Sequence, residues 1–382
     1  MNDLPVKKSY DLAVIGGGLA GLALSIQLVR KDYSVILFEK EKFPFHKVCG
    51  EYISLESWDF LKGLGLPLEE WNLPIIKKFI TSSPNGKLIQ HSLPLGGFGI
   101  SRYKIDAALA DIAKHSGVEI IEDSKVTDVH FENERFFIQS SLKNIQSKTV
   151  GGCFGKRSNL DIKWSRDFIT EGKKKLNNYV GVKYHIQTNF PHDTIALHNF
   201  QDGYCGISRI EDGKYCLCYL TTAGAIQQNN NSIKEVEQNV LCKNLHLKKI
   251  FEEGQWLYDA PLTISQISFD KKSQIEDHVL LIGDAAGMIT PLCGNGMSMA
   301  LHGSKIASGL IDQFLQNKIS RSQMEKMYIQ QWNRQFGRRL KIGRIVQRLF
   351  GRNYLTNIFI SSIKPFPRFI NFLIRQTHGE SF

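Results

Sequence analysis

YDLAVIGGGLAGLALSIQLVRKDYSVILFEK, residues 10–40, is the stretch whose reading decides the fold. An apolar run ends near Ile15 and meets a glycine-rich turn. A helix follows, with an apolar stripe at Leu22, Ile26 and Val29, at spacings of four and three. Ser34 to Glu39 then reads as a second strand, which completes one βαβ unit. Within it Gly16-x-Gly18-x-x-Gly21 opens the helix, and Glu39 ends the next strand 23 residues after Gly16. The first glycine permits a tight turn, the second lets backbone approach a pyrophosphate, and the third lets the helix pack close to the sheet. The helix N-terminus faces the phosphate charge, and Glu39 would accept hydrogen bonds from ribose hydroxyls. A glycine turn used only for packing is the plainer alternative. The strand before, the helix after and the acid at the end of the next strand are the context that a dinucleotide site requires.

Outward from this unit the chain alternates between short strands and helices. LESWDFLKGLG reads as a helix, and FITSSPNGKLIQHSL as a hairpin turning at Asn85-Gly86. SRYKIDAALADIAKHSG reads as a helix ending at Gly117, and KTVGGCFGKRSN as a strand entering a glycine loop. Residues 165 to 268 are rich in strand-like runs. HVLLIGDAAGMITPLCGNGMSMALHGSKIASGLI returns to strand, glycine loop and long helix. No internal repeat of solenoid length is present.

The 382 residues exceed one average domain, and 42% hydrophobic with 22% charged residues is ordinary globular composition. The start of the chain has no apolar core and no small-residue cleavage site of a signal peptide. No run approaches about 18 uninterrupted apolar residues. Seven cysteines, scattered and odd in number, are expected to be reduced. Cys216-x-Cys218 lies in a strand-like run that puts both side chains on one face, without a second pair at zinc spacing, so packing is the expected role. The formal charge of +11 is local: Arg334 to Phe382 holds ten Lys/Arg against Glu380 alone, which is +9 of the total. The body of the protein is therefore no general polyanion binder, and no nucleic-acid reading motif accompanies the charge.

Two distant segments, ISRYKIDAALADIA and LLIGDAAGMITPLCGNGMSMAL, together with the glycine fingerprint, resemble the glutathione-reductase-type FAD proteins, in the branch of aromatic hydroxylases and geranylgeranyl reductases. The resemblance covers roughly residues 8 to 160 and 265 to 320. It implies FAD as cofactor. Gly283-Asp284 would place the Asp on the ribityl chain. Pro291-Leu292-Cys293-Gly294-Asn295-Gly296 would lie against the flavin ring, where backbone N–H groups at a helix start stabilise the charge of the reduced ring. Arg102 is expected near the pyrophosphate. Lys40, Lys47 and Val126 complete the cofactor contacts implied, with Gly294, Asn295 and Gly296 at the ring. As plainer readings, Arg102 is a solvated helix-entry residue and Asp284 a turn residue.

The pattern also breaks. Where many hydroxylases of the branch have Ala-Asp-Gly-x-x-Ser, this chain has Cys153-Phe154-Gly155-Lys156-Arg157-Ser158, with Phe154 for the aspartate linked with FAD and nicotinamide handling. NAD(P)H stays a candidate electron donor, because the flavin must be reduced by something. The Tyr-x-Trp-x-Phe-Pro element of geranylgeranyl reductases has only Gly203-Tyr204-Cys205-Gly206-Ile207-Ser208 as counterpart. The Trp-x-Trp-x-Ile-Pro element of flavin halogenases has none.

Lys47-x-Cys49-Gly50-Glu51 resembles the Lys-x-Cys-Gly loop of the geranylgeranyl reductase group, which reaches the flavin. Cys49 is thus the candidate catalytic residue: it lines the substrate cavity, protonates a substrate carbon after hydride transfer, or is only a small buried residue. His46, His185 and His302 lie near segments that could face a cavity, and each reads as a structural histidine. In the tail, Lys341, Arg344, Arg348 and Arg352 form one helical stripe, with Ile342, Ile345, Val346, Leu349 and Phe350 mostly opposite. Such a helix suits a membrane surface or an acidic partner, or it packs on the domain with its basic face solvated.

The expected protein is an α/β (α+β) FAD-dependent oxidoreductase. A discontinuous FAD-binding Rossmann-like domain spans 1–80, 100–164 and 270–325. A mixed-sheet substrate domain takes 81–99 and 165–269, and a basic amphipathic helical segment takes 326–382. The first expected reaction is C=C reduction or desaturation on a hydrophobic substrate, polyprenyl, lipid-like or polyketide-like, free or carrier-protein-bound. The alternative is NAD(P)H- and O₂-dependent monooxygenation in secondary metabolism, and a third is flavin binding without turnover. The fold hosts them all. The expected location is cytoplasmic, with peripheral membrane contact through the basic segment as an option.

Overall fold

The computed structural model describes residues 8–170, 178–290, 294–349, 353–363, 365–366 and 379–382. Ser9–Ile15 pairs in parallel with Val35–Phe38 on one side and with Asn144–Gly152 on the other. Glu119–Ile121 extends the sheet beyond Val35–Phe38, and Val279–Leu281 extends it beyond Asn144–Gly152, both in parallel. Ile275–Glu276 closes that edge antiparallel, and a hairpin of Val126–Glu132 and Arg135–Ser140 branches from Asn144–Gly152. The central strand carries an apolar run because both of its faces are covered; Leu12, Ala13 and Val14 are wholly buried. The strand order reverses at Ser9–Ile15, so the crevice at its carboxyl end is where an open parallel sheet binds ligands.

The second sheet is mixed, in the order Gln255–Trp256, Tyr179–Gln187, Tyr215–Thr222, Gly203–Arg209, Thr194–Phe200, Ile75–Ser82, Leu88–Gly99, Tyr52–Ser54, with Leu262–Ile267 also on Tyr179–Gln187. The expected hairpin turn at Asn85-Gly86 is present, Gly86 having φ +84° and Ser82 facing Leu88. Residues 52–54 and 75–80, grouped by the sequence with the first unit, pair within this second sheet. They do so because Leu88–Gly99 is long enough to bridge both strands. One sheet face buries Val182, Ile186, Ile207 and Leu217 against Val236 of the helix Ile233–Asn239 and Leu247 of Leu245–Glu253. On the other face the register sets Lys183 beside Cys218, His185 beside Cys216, and Ser208 beside Cys216. Side chains alternate along strands, so these polar groups share one face. Farther along it, Leu197, Tyr204 and Leu220 form an apolar cluster with Ile267, Phe269 and Met288.

Arg321–Leu349 is one helix, packed on the helix Gly296–Leu315 through buried Tyr328, Trp332 and Phe336. Tyr328 donates to the Leu281 carbonyl at 2.7 Å, which ties the helix to the first sheet. Of the expected basic stripe, Lys341 is exposed and Arg344 half-buried; the Arg348 side chain and Arg352 lie outside the described residues, as do the side chains of Val346, Leu349 and Phe350. Ile345 is exposed, not packed on the domain. Asn353–Ile363 lies on the hairpin, with Ile360 against Ile89 and Lys87 donating to Ser361 at 3.1 Å. Phe382 stacks on His302 at 4.1 Å and meets Phe60 at 5.3 Å.

Candidate active site

The glycine turn is dictated by contact. Gly16 has φ +106°, and a Cβ there would lie 2.5 Å from the Cys153 carbonyl oxygen. A Cβ on Gly21 would fall 2.0 Å from the Gly16 oxygen. Gly18 differs: its missing Cβ points to open space rimmed by Arg102 Nη2 at 3.6 Å and Lys47 Nζ at 3.9 Å. Two cations thus converge on the start of the helix Leu19–Val29, whose first-turn N–H groups receive no side-chain cap. Glu39, buried at the end of Val35–Phe38, accepts from the Gly17 N–H at 2.8 Å and the Glu41 N–H at 3.2 Å. The Ser124 N–H donates to the Glu39 carbonyl at 2.9 Å, which brings the start of the strand holding Val126 to the same end of the crevice. Val126 itself is buried, its carbonyl accepting from Asn159 at 3.3 Å. Lys40 is exposed beside Glu41.

Arg102 and Lys47 are held by one acid the sequence reading passed over. Asp106 takes a bidentate pair from Arg102, 2.8 Å at Nε and 2.7 Å at Nη2, and Lys47 Nζ at 3.0 Å. Burial pushes the Asp106 carboxyl up, but the Arg102 and Lys47 charges outweigh it and hold it below the usual range. The signal was legible, since Arg102 and Asp106 stand four apart in a helix capped by Ser101.

The opposite wall comes from Gly283 and Asp284. A Cβ on Gly283 would touch Ala20 at 3.4 Å and Ala300 at 3.3 Å, so this turn is wedged between the two glycine-led helices. The Asp284 carbonyl accepts from Lys272 Nζ at 2.9 Å, and the same ammonium donates to the Lys156 carbonyl at 3.0 Å. Burial lowers Lys272 to about 8. Gly294, at φ +65°, lies against the Tyr52 ring, and Asn295 and Gly296 start the helix Gly296–Leu315 without a side-chain cap. Ser101, Ser158, Thr222, Ser232 and Asn244 do cap their helices. Pro291, Leu292 and Cys293 of the expected ring-facing loop lie outside the described residues.

Cys49 is brought to this helix start, its Sγ 3.7 Å from Met297 Sδ. The loop carrying it is pinned to the second sheet: Lys183 donates to the Lys47 carbonyl at 3.1 Å, Cys216 to the Cys49 carbonyl at 3.2 Å, and Ser208 to the Gly50 carbonyl at 3.5 Å. Glu51, wholly buried, receives the Arg102 N–H at 2.8 Å, Lys183 at 2.5 Å and His185 Nε2 at 2.6 Å. Burial opposes the Glu51 charge, but His185 and Lys183 outweigh it and keep the carboxyl low. Burial likewise opposes the Lys183 charge, and Glu51 holds that ammonium above its ordinary value. Glu51, His185 and Cys216 present ligand atoms within 4.8 Å of one another, a set able to hold a metal ion. The Lys183 ammonium already supplies the positive charge there.

His46 and His185, read separately as structural, are neighbours: their ring centroids lie 5.4 Å apart, and the Tyr258 hydroxyl bonds both. Three segments far apart in sequence meet here, so spacing gave no signal. His302 lies elsewhere, under Phe382.

A family model described as "FAD binding domain" matches residues 9–313. The chain belongs to the FAD binding domain family. This member is an FAD-dependent oxidoreductase, and its residues fit the cofactor: two uncapped helix starts and the Arg102–Lys47 pair suit the pyrophosphate and the reduced ring, and Glu39 suits a ribose. Conditioned medium factor receptor 1 of Dictyostelium discoideum is 24% identical over 86% of this chain and 68% of that one. Digeranylgeranylglycerophospholipid reductase 2 of Methanopyrus kandleri is 22% identical over 89% of this chain and 86% of that one. Among solved structures, the flavin-dependent brominase Bmp2 superposes with a TM-score of 0.78 at 19% identity, over 97% of this chain and 93% of that one, a likeness of fold. The FAD binding fold is therefore shared with enzymes of several reactions, and residues of the second sheet must choose among them.

Proposed function

We propose that this flavoprotein reduces, or in reverse forms, a C=C bond of a hydrophobic substrate lying between the second sheet and the ring-facing helix start. The observation that carries the reading is the position of the Cys49 thiol at the first turn of Gly296–Leu315. FAD, when bound, supplies hydride chemistry. Saturating C=C also needs a proton at the second carbon, and a thiol beside that helix start can give it. The cluster of Leu197, Tyr204, Leu220, Ile267, Phe269 and Met288 offers the apolar wall such a substrate needs. The relative that reduces a digeranylgeranyl lipid supports the same class. NAD(P)H is the proposed electron donor.

The test is anaerobic. The FAD-loaded protein is photoreduced and mixed with a geranylgeranyl lipid or a menaquinone, and flavin absorbance is followed. Return of the oxidised spectrum with a saturated product is expected. No reoxidation without oxygen, together with a peroxyflavin transient when oxygen and an aromatic substrate are added, would replace this reading with monooxygenation.

The same reading takes the substrate from a lipid surface. Exposed Ile345, Ile358 and Phe366 lie in the same C-terminal stretch as the basic residues of Arg321–Leu349. None of the described helices is long and apolar enough to cross a membrane. Binding to phosphatidylglycerol vesicles that weakens as salt rises is expected; equal binding to neutral vesicles at all salt levels would remove the electrostatic part.

A further inference from the structure

Five polar side chains form one bonded series along the wall of the site. Tyr103, exposed, stacks on half-buried His46 at 4.6 Å. The Tyr258 hydroxyl lies 3.1 Å from His46 Nδ1 and 2.7 Å from His185 Nδ1, so it donates to one ring and accepts from the other. His185 Nε2 meets Glu51 at 2.6 Å, and Glu51 meets Lys183 at 2.5 Å. Lys183 has three N–H donors, of which Glu51 and the Lys47 carbonyl take two. The third remains on the sheet face that Lys183 shares with Cys216 and Cys218, under the Cys49 loop.

We infer that His46, Tyr258, His185, Glu51 and Lys183 are a proton path between solvent and the flavin side of the Cys49 loop. As Lys183 releases a proton toward the site, His185 passes its Nε2 proton through the ionised Glu51 carboxylate to Lys183. Tyr258 passes its hydroxyl proton to His185 Nδ1, and His46 passes one to Tyr258 and takes the replacement from water. One proton enters, one leaves, and no group keeps a changed charge. A rivet joining loop to sheet would need only the Glu51–Lys183 pair. It would not need an imidazole engaged at both nitrogens, or a hydroxyl bridging two imidazoles toward an exposed edge. Burying both ions without solvent contact is costly for a fastening alone.

The path rests on FAD binding and on no choice of substrate, so dioxygen serves as the probe. Reoxidation of the anionic reduced flavin by O₂ gives hydrogen peroxide: the electron pair and one hydrogen come from the flavin, and one proton comes from water. FAD-loaded protein is photoreduced, mixed with oxygenated buffer in H₂O or D₂O, and timed by absorbance, with FAD occupancy and Tm measured alongside. Tyr258→Phe keeps the ring and removes the bridge. It is expected to slow reoxidation ~10-fold or more, to raise the solvent isotope effect, and to be partly rescued by imidazole in the buffer. His46→Asn, at the solvent end, is expected to give a smaller, rescuable loss. Wild-type rates and isotope effects in both variants, with FAD bound, overturn the path and leave the rivet, whatever happens to Tm. If Tyr258→Phe does not fold, His46→Asn decides alone, and a rate equal to wild type and indifferent to imidazole overturns it.

Discussion

Gly18 and Gly21 stand three residues apart in one turn and answer an added methyl group differently. At Gly21 the methyl meets the Gly16 oxygen at 2.0 Å, so Gly21→Ala is expected to cost about 1–3 kcal/mol of stability by overpacking, seen as a lower denaturation midpoint even without cofactor. At Gly18 the backbone is extended and the nearest atom is 3.6 Å away, so Gly18→Ala should fold with an unchanged apoprotein midpoint. Its methyl would fill the space before Arg102 and Lys47, and FAD affinity measured by fluorescence quenching should fall about 10-fold or more. A variant at Gly18 that destabilised the apoprotein instead would assign this glycine to packing. Cys49→Ala makes the third residue-scale case: FAD stays bound, and turnover with an olefinic substrate drops about 10²- to 10⁴-fold if the thiol is the proton donor. Full turnover would reduce Cys49 to a cavity-shaping role.

At the scale of elements, the Cys49 loop is held by charge rather than by apolar packing. Glu51→Gln leaves the Lys183 ammonium buried without its counter-ion and should destabilise by about 3–5 kcal/mol in urea unfolding. Replacing both residues with apolar ones of similar size should recover most of that loss, which separates a fastening role from a proton-moving one. The contrast between legible and illegible features follows from sequence separation. The βαβ unit, the Asn85-Gly86 hairpin and the helix ending at Gly117 each rest on residues within a few positions, so spacing and turn chemistry revealed them. Glu51, Lys183, His185 and Tyr258 come from a loop, a strand and a second loop, joined only when Tyr179–Gln187 takes its place in the second sheet. Cys216-x-Cys218 was legible as a shared strand face; that the face would turn toward the Cys49 loop depended on the pairing of whole strands.

For the whole molecule, one buried and two half-buried histidines set a pH response. Burial lowers His46 to about 4, His198 to about 3 and His302 to about 4, from an ordinary 6.5. Below pH 6.5 the unfolded chain binds protons at these sites and the folded chain does not, so stability falls as pH drops from 6.5 toward 4. Glu51 and Asp106, held low, add to the loss below the carboxylate range, because their contribution is present above the unfolded value and disappears on protonation. Tm measured from pH 7.5 to 4.5 should decline beginning near 6.5. A flat profile down to 5 would mean that the three rings accept protons when folded. The two helix starts without side-chain caps lead further. Leu19–Val29 and Gly296–Leu315 both lean on the turn at Gly283, and neither start carries a side-chain cap. FAD held at both starts would act as their shared cap, and so as a component of the fold as well as a reagent. Free FAD at a hundred times its dissociation constant should add about 2.7 kcal/mol to stability by mass action. The yield of intact protein from a cell should then follow its riboflavin supply.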